Sequence, residues 1–381
     1  MSKQACLTVF RCMIFIPVAL TLFACATPQT MRPSTSGAAV EAEAQKQKCL
    51  LLQEETALRA RLFNVHFRVI DGARQMTSRR RDFSGFLVAK RSHFPSDYQN
   101  AASEVFRLGT GARIILVAAG SPADLAGLRV GDEVLTINGE PVPEDPKKMD
   151  EFFKTLGGNS SRILQVVRDG EESTIEVKPV SCAECEIALQ NDDKVNASAD
   201  GQKIYVTKGM MRVVTDDNEL AMIISHELAH NLREHMKMTR TNAAVGGFVG
   251  LLFDVAAAAG GVNTSGGFMK MGMKAGQLSF SKDMESEADY VGLYILANSG
   301  YDIDSGPNVF RRIGVNNPRS MEAKYATTHP ATPERFVMLE QTIREIQGKR
   351  DANIALIPEE KPKTPTKPAE PVVEEGTTYR P

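Results

Sequence analysis

The chain has 381 residues, which is enough for two modest domains that each bury a core. Apolar residues make up 42% of the chain and charged residues 24%, an ordinary globular composition that excludes wholesale disorder. The formal net charge is −2, tryptophan is absent and aromatic residues are few. Because nucleic-acid binding needs basic surfaces or stacking aromatic rings, we expect no nucleic-acid partner.

Residues 1–24 have the layout of a signal peptide. Basic residues precede a short apolar run, residues 12–24, which ends in small residues and is too short to span a bilayer comfortably. The run leads into Leu22–Cys25, which resembles the bacterial lipobox, where the cysteine is lipidated. We therefore expect Cys25 to carry a lipid, with a plain signal peptide or an uncleaved anchor as the alternative.

Residues 25–64 are predicted to form a lipidated tether and a helix. Residues 26–38 are rich in Thr, Ser and Pro, whereas good helix formers with leucines near helical spacing dominate residues 40–62. This helix could pack on the body of the protein or on a partner. Ala26 after the cysteine resembles cargo sorted to the outer membrane, so we expect an outer-membrane lipoprotein of a bacterial cell envelope that faces the periplasm.

Three cysteines follow Cys25, namely Cys49, Cys182 and Cys185. An exported protein meets an oxidising compartment, so the Cys182/Cys185 pair is interpreted as a local disulfide or as buried thiols. A closed zinc site would need two more ligands nearby, and a redox site would need a thioredoxin-like setting. Neither is found in the sequence.

From residue 65 to residue 180 the pattern changes to short β-type runs separated by glycines. Four runs predict strands, at residues 114–118, 133–137, 163–167 and 174–178. Between the first two lies GSPADLAGLRVGDEVLTINGEPV, residues 120–142. Ser121–Pro122 predicts a turn before one helical turn, and Asn138–Gly139 predicts a hairpin turn. This stretch resembles the PDZ domain of exported proteases, so we expect a small β-rich PDZ domain over residues 65–180.

The resemblance to PDZ domains implies a peptide partner. Such domains take an extended peptide, often with a free C-terminus, onto the edge of a sheet. The carboxylate-binding loop is most similar at Gly85–Val88, and Leu108–Gly111 is the rival. A PDZ-shaped spacer that binds nothing is the alternative.

The stretch His226-Glu227-Leu228-Ala229-His230 predicts a metal site. Histidines four residues apart project from one face of a helix, so both imidazoles can bind one metal ion. Glu227 points round the helix toward the open coordination position, where a carboxylate can take a proton from bound water. Asp216 offers an N-cap, and an apolar run follows it, as expected for a buried helix.

A catalytic zinc needs three protein ligands and leaves a fourth position to water. His235 is poorly placed to be the third because no glycine turn separates it from His230, and we interpret it as structural or as a support behind a ligand. Glu285 and Asp289 lie one turn apart on a predicted helix that starts near Ser281. We predict that Glu285 binds zinc and that Asp289 orients a ligating imidazole.

Several sequence elements occur in the order found in metallopeptidase family 48. They are Asn196–Ala197 with the run Ile204–Gly209, then Glu219–Ala221, the HELAH stretch, Glu285–Asp289, Thr328–Pro330 and Arg335. The resemblance extends from about Asn196 to Phe336. It implies a mostly helical HExxH zincin of the gluzincin type, with one Zn2+ per chain held by His226, His230 and Glu285.

The same resemblance implies roles for four further residues. His329 lies near the zinc in family members, where it could stabilise the oxyanion or act as a latch on the fourth position. Arg335 would pair with an acid such as Asp289. The strand that follows Asn196 and Ala197 resembles the edge that pairs with the substrate backbone.

Residues 243–262, AAVGGFVGLLFDVAAAAGGV, are apolar enough for a membrane helix, with Asp254 as the only charge. A single crossing here would put His226 and Glu285 on opposite sides of the membrane, which would separate the zinc ligands. We therefore expect a glycine-rich helical hairpin that covers or gates the active site. A re-entrant membrane contact is the alternative.

Together these patterns predict a multidomain α+β protein. The PDZ domain precedes a mostly helical metallopeptidase domain, residues 181–347, and a disordered Pro-, Lys- and Glu-rich tail, residues 348–381. We expect a membrane-tethered zinc metalloendopeptidase that cleaves misfolded or unassembled envelope proteins, with peptide termini recruited by the PDZ domain. The alternative is a peptide-binding chaperone or assembly factor whose zinc His329 keeps silent. A purely structural PDZ scaffold would have no use for Glu227.

Overall fold

A computed structural model describes residues 30–155, 160–259, 261–278, 281–316, 318, 329 and 332–361. Its contacts separate a unit that ends at Gln47 from a unit that begins at Lys48. The expected signal peptide, the expected lipidation site Cys25 and the tail beyond residue 361 lie outside the described residues.

The first helix, α1 (Gly37–Gly72), continues past its predicted end at Leu62. Its second half is apolar at helical spacing, and Val65 and Ile70 are buried in the core of the C-terminal domain. The boundary expected between residues 64 and 65 therefore falls inside α1. The second half of this helix belongs with the C-terminal domain, whereas Cys49 and Leu52 pack against Ala101 and Ala102 of the PDZ region.

The described part of the next region contains six strands and three α-helices. They are β1 (Arg80–Phe83), β2 (Phe86–Ala89), α2 (Gln99–Phe106), β3 (Ala112–Val117), α3 (Pro122–Leu125), β4 (Glu133–Ile137), α4 (Met149–Thr155), β5 (Arg162–Arg168) and β6 (Glu171–Val177). Strands β2 to β6 form a five-stranded antiparallel sheet in sequence order, so β2 is an edge strand. The four predicted strands are β3 to β6, and β6 begins earlier than predicted, at Glu171.

The turns of this sheet follow from particular residues. Asn138 and Gly139 both have positive φ angles, 53° and 84°, and Ile137 bridges to Glu140, which confirms the predicted hairpin turn. The buried carboxylate of Asp132 accepts a hydrogen bond from the backbone of Arg129 and two from the side chain of Arg168, each of these two at 2.7 Å. Asp132 therefore joins the turn before β4 to β5.

The C-terminal domain begins with four strands: β7 (Val180–Ala183), β8 (Glu186–Gln190), β9 (Ala197–Ala199) and β10 (Lys203–Thr207). Strand β7 pairs with β1, and this joins the two ends of the PDZ region. The other three form a sheet in which β10 lies between a parallel β8 and an antiparallel β9.

Helices follow these strands. They are α5 (Lys208–Val213), α6 (Asp217–Leu232), α7 (His235–Ala259), α8 (Gly267–Leu278), α9 (Ser281–Asn298), α10 (Asn308–Asn316) and α11 (Pro333–Asp351). Helix α11 continues past the domain end expected at residue 347, and Leu356 still packs against the core. The ordered domain therefore extends into the segment that we predicted to be a disordered tail.

Helices α7 and α8 form a glycine-rich hairpin, but residues 243–259 of the segment that we expected to contain the whole hairpin belong to α7 alone, which is one of its two arms. That the hairpin covers or gates the active site stays a prediction. The backbones of the two helices approach so closely that a Cβ atom at Gly246 would clash with the carbonyl oxygen of Gly272. Among the described helices, α7 is the one whose length and composition would allow it to cross a membrane. Most of its long apolar side chains face solvent.

Candidate metal centre

Helix α6 carries the His-Glu-x-x-His stretch into the interior. Asp216 caps it as predicted, because its carboxylate accepts hydrogen bonds from the backbone N–H groups of Asn218 and Glu219 at 2.9 and 3.0 Å. From Glu219 to Ala229 every residue of the helix is buried. His226 therefore leaves the helix inside the protein, and His230, one residue beyond this buried run, is partly buried.

The structure brings four predicted site residues together. Ligand atoms of His226, His230, Glu285 and His329 all lie within 4.8 Å of one another. The Nε2 atoms of His226 and His230 are 3.1 Å apart, and Glu285 Oε1 lies 3.3 Å from His230 Nε2. His329 Nδ1 lies 2.8 Å from Glu285 Oε2 and 3.1 Å from His226 Nε2. The four residues come from α6, α9 and the segment before α11.

This cluster fits a metal ion. His226 Nε2 faces His230 Nε2, His329 Nδ1 and, at 3.4 Å, Glu285 Oε2. One imidazole nitrogen carries at most one proton, so hydrogen bonds alone cannot satisfy all three contacts. A single cation at the centre would satisfy all of them. Nitrogen and carboxylate oxygen donors in fourfold arrangement are a set that zinc prefers.

Neighbouring groups shift the pKa values of the cluster. Burial alone would raise the pKa of Glu285, but the charge of His329 and hydrogen bonds from the three histidines hold that pKa well below its usual value. Burial alone would lower the pKa of His226, but Asp289 and Glu285 raise it to about 10. Burial lowers the pKa of His230. Glu285 therefore stays ionised and can offer its charge to a metal.

Asp289 and Arg335 lie behind His226, as predicted. Asp289 Oδ1 is 2.9 Å from His226 Nδ1, on the side of the ring opposite the cluster. The guanidinium of Arg335 donates two hydrogen bonds of 2.7 Å to Asp289 and lies 3.7 Å from the ring centre of Phe310. This buried arrangement holds the imidazole so that its Nε2 atom faces the other ligands.

His235 and Glu287 form a second support, behind His230. From the sequence we assigned a role to His235 but not to Glu287. His235 is buried, as its structural interpretation requires, and its Nδ1 lies 2.9 Å from His230 Nδ1. Its Nε2 lies 3.0 Å from Glu287 Oε2. We did not single out Glu287, although its place between Glu285 and Asp289 on α9 was a signal. His235 and Glu287 support His230 as Asp289 supports His226.

Glu227 lies at the margin of the cluster. Its carboxylate is buried, and Oε1 is 3.5 Å from His329 Nε2. The ring of His329 therefore lies between the carboxylates of Glu285 and Glu227. This places a potential proton acceptor next to the four donor atoms.

Asn196 and Ala197 lie at a sheet edge next to α6. Ala197 begins β9, the edge strand, and pairs with Val206. Asn196 is held by Thr207, whose backbone N–H donates to the carbonyl oxygen of Asn196. Within the described residues no strand pairs with the outer side of β9, so an extended chain can add there.

The PDZ region has a separate groove of about 480 Å³. Gly85 and Leu87, from the more similar of the two carboxylate-loop candidates, line it together with Phe153 of α4. Leu108–Gly111 does not line it. Cys185 and Glu186 of the C-terminal domain form the opposite wall. The groove therefore lies along edge strand β2 and opens toward the second domain.

Cys182 and Cys185 are buried thiols that form no disulfide with each other, which is one of the two interpretations of the pair. Burial raises the pKa of Cys182 and of Cys185 to about 12. Thiols with such high pKa values carry little thiolate and are poorly reactive.

Comparison with known proteins identifies both regions. Residues 172–343 match the sequence profile described as Peptidase family M48, and residues 113–168 match that of a PDZ domain. The chain carries an M48 metallopeptidase domain. The candidate centre, with its histidines, Glu285 and the adjacent Glu227, lies within this M48 match.

Curated relatives are similar to part of this chain. The chain is 28% identical over 184 residues to the mitochondrial metalloendopeptidase OMA1 of Schizosaccharomyces pombe, covering 47% of this chain and 52% of that protein. It is 27% identical over 161 residues to the beta-barrel assembly-enhancing protease of Yersinia pestis, covering 39% of this chain and 32% of that protein. The chain therefore spans about half or less of these relatives.

A solved structure titled as the HtrA3 PDZ domain bound to a phage-derived ligand aligns with 27% of this chain and 88% of that chain. Its sequence identity is 21% and its TM-score is 0.21. We base no conclusion on that alignment.

Helices α6 and α9 meet at a glycine. A Cβ atom at Gly292 would lie 3.2 Å from the Cα and the N of His226, so a larger residue would push the two helices apart. Gly292→Val is expected to weaken Zn2+ binding about tenfold, because Glu285 would move away from His226. Competition with a chromophoric chelator measures this. Gly348→Val on α11 is the control, since nothing lies within 4 Å of its Cβ position, and equal affinities in the two variants would contradict the prediction.

Arg335→Met is expected to destabilise the fold by about 3–5 kcal/mol, because it leaves the buried carboxylate of Asp289 without its cation. Arg311→Met is the matched control. Arg311 also pairs with a carboxylate, Glu340, and lies over an aromatic ring, Phe336, but this pair is exposed and its loss should cost about 1 kcal/mol or less. Urea unfolding of the full chain measures both losses, and similar values would show that the buried pair has no special role.

Proposed function

We propose that this protein is a membrane-tethered, zinc-dependent metalloendopeptidase that hydrolyses peptide bonds of misfolded or unassembled proteins in the cell envelope. The observation that carries the proposal is the grouping of His226, His230 and Glu285 with Glu227 beside them. Three protein ligands with an adjacent carboxylate are the set that a catalytic zinc site needs.

His226, His230 and Glu285 would hold the ion. Bound zinc supplies Lewis acidity, which lowers the pKa of a water molecule toward about 7 and polarises the carbonyl of the scissile bond. Two pairs lie behind the histidines, the buried pair of Asp289 with Arg335 and the pair of buried His235 with exposed Glu287, and they keep the imidazoles in position during this chemistry.

Glu227 would act as the general base and then as the general acid. Its carboxylate accepts a proton from the attacking water, and the oxygen of that water forms the new bond to the scissile carbonyl carbon. The carboxyl group then gives the proton to the leaving amine as the C–N bond breaks. The substrate would lie as an added strand along β9, next to α6.

His329 would act as a latch. Four protein donors leave no position for water, whereas a catalytic zinc site needs one open position. His329 is the most exposed of the four donors, and it comes from outside the two ligand-bearing helices. Movement of His329 would open the fourth position, and its imidazole could then donate a hydrogen bond to the developing oxyanion.

The PDZ groove would recruit substrate through an exposed peptide end. Edge strand β2 offers backbone hydrogen bonds, and the apolar wall of Phe86 and Phe153 suits an apolar side chain. Binding there raises the local concentration of an unfolded chain near the peptidase domain. The proposed location is the periplasmic side of the outer membrane, with Cys25 as the lipid attachment site.

Cleavage of casein by the full chain tests the peptidase proposal. Glu227→Gln is expected to lower turnover by about 100-fold or more, because the general base is lost, while one Zn2+ per chain stays bound. A chelator should abolish cleavage by the wild type, and added Zn2+ should restore it. Cleavage that is unchanged in Glu227→Gln would exclude this mechanism.

His329→Ala in the same assay separates the latched enzyme from the chaperone. A rise in turnover above the wild type is expected if His329 blocks the fourth position. If wild type and His329→Ala are both inactive with zinc bound, the alternative is favoured, namely a peptide-binding chaperone or assembly factor with little proteolysis. Suppression of casein aggregation by the inactive protein would then measure that activity.

Peptide binding tests the PDZ groove in the Glu227→Gln background, which prevents cleavage. Leu87 is half exposed on β2, so Leu87→Glu is expected to weaken binding of a peptide with an apolar free C-terminus about tenfold, while the fold is kept. Leu125→Glu, an exposed change elsewhere in the same domain, is the control. Equal binding by the amidated and the free peptide would show that no carboxylate is recognised.

A further inference from the structure

The outer end of the α7–α8 hairpin exposes an unusual amount of apolar surface. We call residues 248–268 the hairpin tip. Its exposed long apolar side chains are Phe248, Val249, Leu251, Leu252, Phe253, Val255, Val262 and Phe268. Soluble surfaces rarely carry so many contiguous apolar side chains, and such patches indicate an interaction site.

The exposed side chains surround α7 rather than lie along one stripe. At about 100° per residue, successive positions from Phe248 to Val255 point in nearly all directions around the helix axis. Only Gly250 and Asp254 are buried there, on the side that faces α8. A protein partner usually covers one stripe of a helix, whereas a helix that is apolar on all free sides suits an apolar medium.

The polar groups of the hairpin tip bond to one another. The carboxylate of Asp254, its only ionisable group, accepts hydrogen bonds from the hydroxyl of Thr264 and from the backbone N–H groups of Phe268 and Met269. These N–H groups belong to the first turn of α8. At the end of α7, Gly261 and Val262 donate to the carbonyl groups of Ala258 and Ala257. These groups would therefore keep their partners in lipid.

Cationic side chains mark the base of the hairpin. Lys270 and Lys274 are exposed on α8, and Arg240 is exposed on α7. The close contacts of Gly246 with Gly272 and of Gly250 with Phe268 place Lys270 level with about residue 248, where the hairpin tip begins. Such cations would lie at the level of anionic lipid headgroups when the tip is in the hydrocarbon.

The length of the hairpin tip matches one leaflet. From Phe248 to Ala259, α7 rises about 18 Å at 1.5 Å per residue. One half of the hydrocarbon core of a bilayer is about 15 Å thick. The hairpin turns back at its end, so it can enter a leaflet without crossing the membrane.

From these observations we propose that the hairpin tip inserts into one leaflet of an anionic lipid bilayer, with Lys270, Lys274 and Arg240 at the headgroups. The hairpin lies between α6 and α9 in sequence and does not cross the bilayer. His230 of α6 and Glu285 of α9 therefore stay on the same side of the membrane. The insertion would hold the metal centre next to the bilayer surface. It is a membrane contact separate from the expected lipid at Cys25.

The lack of tryptophan in the chain makes a position-specific test possible. Phe253→Trp places a single fluorophore at the hairpin tip, where the native side chain is 61% exposed. With vesicles of equal parts phosphatidylcholine and phosphatidylglycerol, its emission is expected to shift to the blue. Lipids brominated on the acyl chains should quench it. The full chain can be used, because the signal reports the depth of one residue whatever else anchors the protein.

Leu125→Trp is the control, since Leu125 is 81% exposed on the PDZ surface. Its emission should be unchanged by the same vesicles. If brominated lipid quenches neither tryptophan, or quenches both equally, the proposal is wrong. Unchanged Phe253→Trp emission with vesicles, together with stoichiometric capture of a protein by the tip, would assign this surface to a protein partner instead.

A second pair of variants tests the chemistry of the contact in the Phe253→Trp background. Leu252→Glu is expected to abolish quenching by brominated lipid, whereas Val315→Glu, at another exposed apolar position, is expected to leave it unchanged. Lys270→Gln and Lys274→Gln should each weaken binding to the anionic vesicles about fivefold and should not affect zwitterionic vesicles. Equal effects of the two glutamate variants would overturn insertion through the tip. Thermal unfolding verifies that each variant is folded.

Discussion

The metal centre depends on one crowded contact between imidazoles and a carboxylate. His226 Nε2 faces three other donor atoms inside the protein, and one cation at their centre would satisfy all of them. To bring these donors together, α6 and α9 must approach nearly to backbone contact, and Gly292 allows that approach. The packing of these two helices thus holds polar imidazole and carboxylate groups together in the interior, where such groups are costly to bury.

Supporting contacts extend this constraint through the C-terminal domain. Arg335 of α11 donates hydrogen bonds to Asp289 of α9, and Asp289 in turn lies against His226 of α6. The position of the His226 imidazole therefore depends on three helices. His230 depends in the same way on His235, the first residue of α7. Helix α7 begins beside the candidate metal centre and continues into the hairpin. One helix therefore connects the candidate centre to the surface that we assign to lipid.

The PDZ region is attached closely to the M48 domain. Helix α1 packs in the peptidase core, and β1 pairs with β7, so the PDZ sheet is held at both of its ends by the domain that flanks it. Its groove therefore opens onto Cys185 and Glu186 rather than onto free solvent on all sides. In the proposed function, recruitment and cleavage would then act on one extended chain.

The sequence by itself determined the parts that depend on local pattern. The His226/His230 spacing, the Asp216 cap, the four strands and the Asn138–Gly139 turn are each encoded within a few residues, and the structure places them as predicted. Resemblance to a family added the prediction that His329 lies near the metal and that Arg335 pairs with an acid such as Asp289. Only the tertiary structure decided which faces meet: the contact of Glu287 with His235, the place of α1 in the distant core and the exposure of the hairpin tip. These depend on packing between segments far apart in the chain, which no local pattern contains.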